Sequence, residues 1–314
     1  MSSKCAAFWH HTNLRADNKI FPCCRYKEPI MTFDGNLESI LDTDVYANLR
    51  NKVSRGEYLT GCSKCYKEEE YGTKSLRQRF NEEYDTDDIS LDFLEIGFDN
   101  ICNLTCDGCW DEFSHSWAKK NSPEKPIRFL INQSNEILNI PSSIKKVLFL
   151  GGEPLMTNRH KNFLKKFKDL KNLDVTYNTN GTFLLDDETI SLLKKVKKIN
   201  FIVSIDGIGQ LQEKVRQGSK WSDVTNFIEQ LKQLKFEFSI HSVMHINNWF
   251  GFEDLSKFVK ENNYHWTTNV LTYPEHLSII NFSDKEQIST YVQGIDMPNK
   301  YLILNYIINE NFHK

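Results

Sequence analysis

From residue 91 onward, short apolar runs alternate with helical patterns. Leu91–Phe98, Val147–Leu150, Leu173–Tyr177, Ile199–Ile205, Phe236–Val243 and Trp266–Leu271 read as strands. Between them, apolar residues at helical spacing predict helices over Ile127–Leu138, His160–Leu170, Asp187–Lys197, Val224–Leu234 and Phe252–Asn262. Alternation of this kind calls for an α/β fold with a parallel sheet and crossover helices. Six strands fit an open doubly wound sheet or a partial β/α barrel, and periodicity does not choose between them. The tail, Asn299–Phe312, reads as a terminal helix packing through Tyr301, Ile303, Leu304, Ile307 and Ile308. Before residue 80 the pattern is shorter and mixed. Asn18–Pro22 reads as an edge strand ended by proline. Asp44–Tyr58 reads as an amphipathic helix with Val45, Leu49 and Val53 on one face, and Lys74–Tyr84 as a second helix. The acidic stretch Glu82–Asp88 reads as a linker and marks a domain boundary.

The 314 residues are 39% hydrophobic and 26% charged, with a net charge of -3, ordinary for a soluble globular chain. That balance argues against a nucleic-acid coat or a polybasic membrane binder. No apolar run approaches the ~20 residues needed to cross a bilayer, and the N-terminal MSSKCAAFWHHTNLR has no apolar core of a signal peptide. A cytoplasmic, reducing location is expected, in which stable disulfides are disfavoured.

All eight cysteines lie in the first 109 residues: Cys5, Cys23, Cys24, Cys62, Cys65, Cys102, Cys106 and Cys109. Clustering of this kind points to thiolate ligation of zinc or iron–sulfur rather than to core packing. Cys102, Cys106 and Cys109 form a C-x3-C-x2-C loop after the first strand. Three thiolates there can hold three irons of a cubane and leave the fourth open. A zinc site would need a fourth ligand, and His115 is the near candidate. Zinc and incidental thiols remain alternatives on this motif alone. The next strand ends in Gly151-Gly152-Glu153-Pro154. Paired glycines let backbone approach a ligand closely, and a carboxylate there can receive an ammonium group. Active-site residues of parallel α/β folds collect at such strand ends.

With these motifs in this order, the sequence resembles radical S-adenosylmethionine (radical SAM) enzymes. Cys102/Cys106/Cys109 matches their cysteine triplet, Gly151–Pro154 their GGEP turn, and Ser204-Ile205-Asp206-Gly207 the SIDG form common in peptide- and carbohydrate-modifying branches. The resemblance spans about residues 91–274. It implies a partial (β/α)6 TIM barrel with a [4Fe–4S] cluster on Cys102, Cys106 and Cys109. The open iron of that cluster binds SAM and cleaves it reductively to a 5′-deoxyadenosyl radical, which abstracts a substrate hydrogen. By the same resemblance, Gly151, Gly152, Glu153 and Pro154 bind the cofactor, with Gly152 and Glu153 holding the methionyl amine by backbone carbonyl and side chain. Asn180, Ser204 and Asp206 face the ribose or methionyl end, Val243 and Asn247 line the adenine site, and Arg216 neutralises the SAM carboxylate, a surface arginine being the alternative. One position departs from the pattern: the residue before the third cysteine is usually aromatic, and here it is Gly108.

Cys5, Cys23, Cys62 and Cys65 resemble the auxiliary-cluster signature of SPASM and twitch domains, placed here before the barrel. The resemblance implies a second [4Fe–4S] cluster, with Cys24 a spare or an alternative to Cys23 and a structural zinc as the competing reading. The domain plan is then 1–85 for the small cysteine-rich auxiliary domain, 90–280 for the barrel and 281–314 for a C-terminal helical extension. His10 and His11 read as exposed or packing residues. His241 and His245 share a strand face and are either acid–base groups or partly buried histidines. The expected activity is oxidation, crosslinking or rearrangement of a peptide, sugar or other small metabolite, with electrons from a donor such as flavodoxin or ferredoxin. The alternatives are a radical SAM enzyme acting on RNA, which the net acidity disfavours, and a non-enzymatic zinc-binding interaction module.

Overall fold

The computed structural model describes residues 4–121, 124, 128, 130, 137 and 139–308. Its strands are β1 (His11–Leu14), β2 (Lys19–Phe21), β3 (Met31–Thr32), β4 (Phe93–Gly97), β5 (Thr105–Cys106), β6 (Lys146–Leu150), β7 (Asp174–Thr179), β8 (Lys198–Ser204), β9 (Arg216–Gln217), β10 (Glu237–Met244) and β11 (His265–Val270). The chain divides into two compact units. The first holds Met1–Asn100, Arg128–Thr176 and Glu188–Lys198. The second holds Ile101–Ile127, Tyr177–Asp187 and Ile199–Lys314. β7 contributes its first half to one and its second half to the other.

In the first unit the strand order is β3-β2-β1-β4-β6-β7. β4 pairs in parallel with β6 (Gly97 opposite Leu150), as the alternating pattern requires. β1 also pairs in parallel with β4 (Asn13 opposite Glu95) and carries the antiparallel β2 and β3 with it. The acidic stretch 82–88 therefore joins two elements of one unit. β1 is a polar sequence, His-Thr-Asn-Leu, yet every residue in it is buried. Each of its polar side chains makes at least one hydrogen bond: His11 Nδ1 donates to the Pro22 carbonyl (2.8 Å), Tyr46 donates to Thr12 Oγ1 (3.0 Å), and the Asn13 amide donates to Glu95. His10 is buried too, 2.7 Å from Asp92, so neither histidine is at the surface.

Two predicted helix faces are rotated in the structure. In the helix Asp44–Ser54, Val45 is exposed, and Tyr46, Leu49, Arg50 and Val53 face inward. Arg50 is accommodated because its guanidinium donates to the Leu41 and Phe8 carbonyls (2.8 and 3.2 Å) while its stem packs. In the last helix, Lys300–Ile308, Leu302, Ile303, Tyr306 and Ile307 are buried, whereas Tyr301 and Ile308 point outward. The predicted helix Ile127–Leu138 falls largely outside the described residues.

In the second unit the order is β7-β8-β10-β11, with β8–β10 and β10–β11 parallel. Ile199, Phe201 and Val203 of β8 are buried, and Asn200, Ile202 and Ser204 between them are half-buried. The buried row meets the helix Trp221–Leu234, whose Val224, Phe227, Ile228 and Leu231 form one apolar stripe; the Phe201 and Phe227 rings stand edge to face 5.7 Å apart. The chemistry-bearing residues lie at the C-terminal ends of these strands. No helix among the described residues is long and apolar enough to cross a membrane.

Candidate functional site

In the first unit, β6 runs into Gly151, whose φ of +121° excludes ordinary side chains. A Cβ there would also stand 2.6 Å from the Asp99 carbonyl oxygen. The same carbonyl accepts the Gly152 N–H at 2.9 Å. Glu153 is 1% exposed and caps the short turn Pro154–Met156 by accepting the Leu155 N–H at 3.1 Å. Asp99 therefore anchors the glycine turn. Its carboxylate also accepts the Thr157 hydroxyl at 3.3 Å.

In the second unit, the loop Cys102–Cys109 gathers three thiols close enough to act on one another electrostatically. Burial, reinforced by Cys106 and Cys102, pushes the Cys109 thiol up to about 12. Burial also raises Cys106, against the opposing charge of Arg216. The loop is tied from several directions. His115 Nδ1 accepts the Cys102 N–H (2.9 Å), Ser116 donates to the Cys102 carbonyl (2.6 Å), and Trp117 Nε1 donates to the Cys106 carbonyl (2.9 Å). His115 thus uses Nδ1 to hold the loop's backbone. Burial, with Lys119 adding to it, lowers its pKa. Asn180 Nδ2 lies 3.9 Å from Cys102 Sγ and donates to Asn103 at 3.0 Å.

β5 of this loop pairs with β9, which brings Arg216 opposite Cys106. Arg216 donates to Asp206 (2.7 Å) and lies 4.0 Å from Cys106 Sγ. Burial opposes its charge, but Asp206 and Cys106 outweigh that and hold the guanidinium more firmly protonated. Arg216 is therefore a half-buried, paired cation and not a surface arginine. Asp206 also accepts the Val243 N–H (2.7 Å), and Asn247 donates to Asp107 of the cysteine loop (2.8 Å). Asn180 at Cys102, the chain Arg216–Asp206–Val243 at Cys106, and Asn247 at Asp107 each meet the cysteine loop; Ser204 ends β8. At Gly108, an added Cβ would stand 3.1 Å from Leu271, which occupies the side where an aromatic residue would project.

Two residues here have no counterpart in the motif reading. Gln212 and Asn248 are both fully buried. Gln212 accepts the Asp206 N–H (2.8 Å) and donates to the Ser204 carbonyl (3.2 Å). Asn248 donates to the Asp206 and Val243 carbonyls (3.0 and 2.9 Å). Together they set the turn after β8. A polar residue soon after a strand end was the available signal, and many surface residues share it.

A second cysteine group lies in the first unit. Cys5, Cys23, Cys62 and Cys65 line one small cavity with Phe8, Tyr26, Arg77 and Phe80. Cys23 is coupled electrostatically to Cys5, Cys62 and Cys65. Burial, with Cys65 adding to it, pushes the Cys62 thiol up to about 12. Gly61 is needed because the Tyr26 ring lies over it, 2.3 Å from where a Cβ would be. Cys24 is not part of that lining: it is exposed and is coupled electrostatically to Glu95 of β4. The structure thus groups Cys23, and not Cys24, with the other three. Both groups consist of buried and half-buried thiols, and a metal would fit them as soft thiolates by displacing their protons.

Comparison with known proteins agrees with this chemistry. A family model described as the radical SAM superfamily matches residues 97–259, just over half of the chain. A protein named GTP 3′,8-cyclase from Aliarcobacter butzleri (strain RM4018) is 28% identical over 159 residues, covering 49% of this chain and 46% of that protein. A second GTP 3′,8-cyclase, from Sulfurovum sp. (strain NBC37-1), is 29% identical over 125 residues, 38% of this chain and 35% of that one. The chain thus spans less than half the length of these curated relatives. Among solved structures, anSMEcpe with bound AdoMet is 20% identical with a TM-score of 0.46, covering 65% of this chain and 59% of that one. Streptococcus suis SuiB bound to S-adenosylmethionine is 16% identical with a TM-score of 0.46, covering 80% and 52%. On the strength of the family match, set on a cysteine triplet, a glycine turn and an Asp–Arg pair at strand ends, this chain belongs to the radical SAM superfamily and is an enzyme of that kind.

Proposed function

We propose that Cys102, Cys106 and Cys109 carry a [4Fe–4S] cluster that binds SAM, and that Cys5, Cys23, Cys62 and Cys65 carry a second, auxiliary [4Fe–4S] cluster. The parallel strands are read as a partial (β/α)6 barrel. The first cluster and SAM, when bound, supply hydrogen-atom abstraction from substrate. Arg216 places a fixed positive charge beside Cys106, suited to a carboxylate. Asp206 holds that charge in place, while Asn180 and Asn247 keep the cysteine loop in register. Gly151, Gly152, Glu153 and Pro154 are assigned to the cofactor, with Gly152 and Glu153 at the methionyl amine. The substrate is a peptide, sugar or other small metabolite, and the reaction an oxidation, crosslink or rearrangement for which the auxiliary cluster accepts electrons. A low-potential carrier such as flavodoxin or ferredoxin supplies the reducing electron.

The observation that carries this reading is the Arg216–Asp206 pair set 4.0 Å from Cys106. The test is anaerobic reconstitution. Brown protein with roughly eight irons per chain and dithionite-dependent 5′-deoxyadenosine is expected. Colourless protein binding about two zincs would overturn the assignment.

A further inference from the structure

The strands of the second unit present two faces. Ile240, Ser242 and Met244 of β10 are buried on the helix side. There Trp266 of β11 donates Nε1 to Ser242 Oγ (2.9 Å), and its ring lies 6.0 Å from that of Phe252 on the helix Phe252–Glu261. Ser239, His241 and Val243 alternate with the buried row, so they face away from those helices, and all three are half-buried. The pairing register sets Ser204 of β8, His241 of β10 and Thr267 of β11 side by side across three strands. All three are polar and half-buried. Val243, which the family resemblance assigns to the adenine site, follows one pleat along the same face. His241 is held in this row. Its Nδ1 lies 2.9 Å from Thr267 Oγ1, and the Thr267 hydroxyl donates to the Ile240 carbonyl at 3.3 Å. A carbonyl only accepts, so one proton arrangement makes both bonds: the hydroxyl gives its proton to the carbonyl, and Oγ1 takes the Nδ1–H. The ring is then the tautomer whose Nε2 carries a bare lone pair. Among the described residues Nε2 has no hydrogen-bond partner. Burial lowers the pKa of the ring, Asp206 opposes that and Arg216 adds to it, which favours the neutral form.

We propose that His241 is a substrate-binding residue, whose Nε2 accepts a hydrogen bond from an N–H or O–H of the substrate, with Ser204 and Thr267 on either side of it. The inference rests on the proposed function and narrows its substrate class. The molecule carries an amide, amine or hydroxyl hydrogen near the carbon that loses its hydrogen atom, which admits a peptide or a sugar and excludes a plain hydrocarbon chain. The test uses the reconstituted full chain. Long-range proton–nitrogen NMR correlation spectra of isotopically labelled protein should show His241 protonated at Nδ1 alone. A proton on Nε2 overturns the acceptor role whatever the variants do. The second arm takes as its probe the peptides and small molecules extracted from cells grown in deuterium oxide. The deuterated fraction of the 5′-deoxyadenosine formed then reads hydrogen abstraction from substrate, independently of how much SAM is cleaved. His241→Ala should lower that fraction about tenfold, as expected for one lost hydrogen bond. His241→Gln, whose side-chain carbonyl can still accept, should recover part of it. A merely structural role would lower total 5′-deoxyadenosine and leave the deuterated fraction alone. An undiminished fraction in His241→Ala therefore overturns the substrate contact. Wild-type protein that neither binds nor cleaves SAM overturns the proposed function and this role together.

Discussion

The Cys102–Cys109 loop draws three thiols from eight consecutive residues, whereas Cys5, Cys23, Cys62 and Cys65 come from three stretches spread over 61 residues. The first group is shaped by its own turn and held by side chains: His115, Ser116, Trp117 and Asn180 all bind its backbone or sulfur. The second exists only after a helix, a hairpin and two further helices have packed around Phe8, Leu49, Val53 and Phe80. The two also differ in charge. One has a paired cation beside a sulfur, fit to meet an anionic ligand; the other has arginines clamped by glutamates around a cavity lined by apolar rings. On the proposed function, an open, ligand-accepting centre and a closed, electron-handling one would be built from the same ligand chemistry by different surroundings.

That contrast can be broken from either side. The largest effect is expected from Cys106→Ala, which should remove about four irons and abolish 5′-deoxyadenosine formation, as read by iron assay and chromatography. Cys62→Ala should remove a similar amount of iron, leave SAM cleavage partly intact and stop product formation. Cys24→Ser should leave iron unchanged; loss of iron there would return Cys24 to the ligand set. Gly61→Ala should force the Tyr26 ring out of place, at a cost of about 1–3 kcal/mol. It should lower auxiliary iron selectively, and an unchanged melting curve and iron content would show that the ring moves freely.

The smallest effect concerns Asp92, which holds His10 and with it the turn that presents Cys5. Burial opposes the charge of Asp92, but Lys145 and His10 outweigh burial and keep its pKa below the ordinary carboxylate value. A carboxyl depressed on folding contributes stability above its unfolded pKa and loses it as the pH falls through the folded value. Asp92→Asn should therefore lower Tm by a few degrees near neutrality, with the difference closing in acid below about pH 4. A constant difference at all pH values would mean that the pair acts through packing.

How much of this was legible varies with the range of the interactions. β8, β10 and β11 were readable because their apolar residues alternate or run together, and the helix Trp221–Leu234 because its stripe repeats locally. The three-thiol loop and the glycine turn were readable as short motifs. β1 was not, because His11, Thr12 and Asn13 look like surface residues until Pro22, Tyr46 and Glu95 arrive to satisfy them. The rotated helix face at Tyr46 and Arg50 was hidden for the same reason.

By itself, then, the sequence determined the α/β alternation, the clustering of the cysteines and the family to which they point, since each is written in residues a few positions apart. Only the tertiary structure decided that β1 joins β4, that Cys23 and not Cys24 meets the other three, that Arg216 is pinned by Asp206 beside Cys106, and that Gln212 and Asn248 brace the turn after β8. Those choices depend on buried polar groups finding partners far along the chain, and no local pattern records which partner will be there.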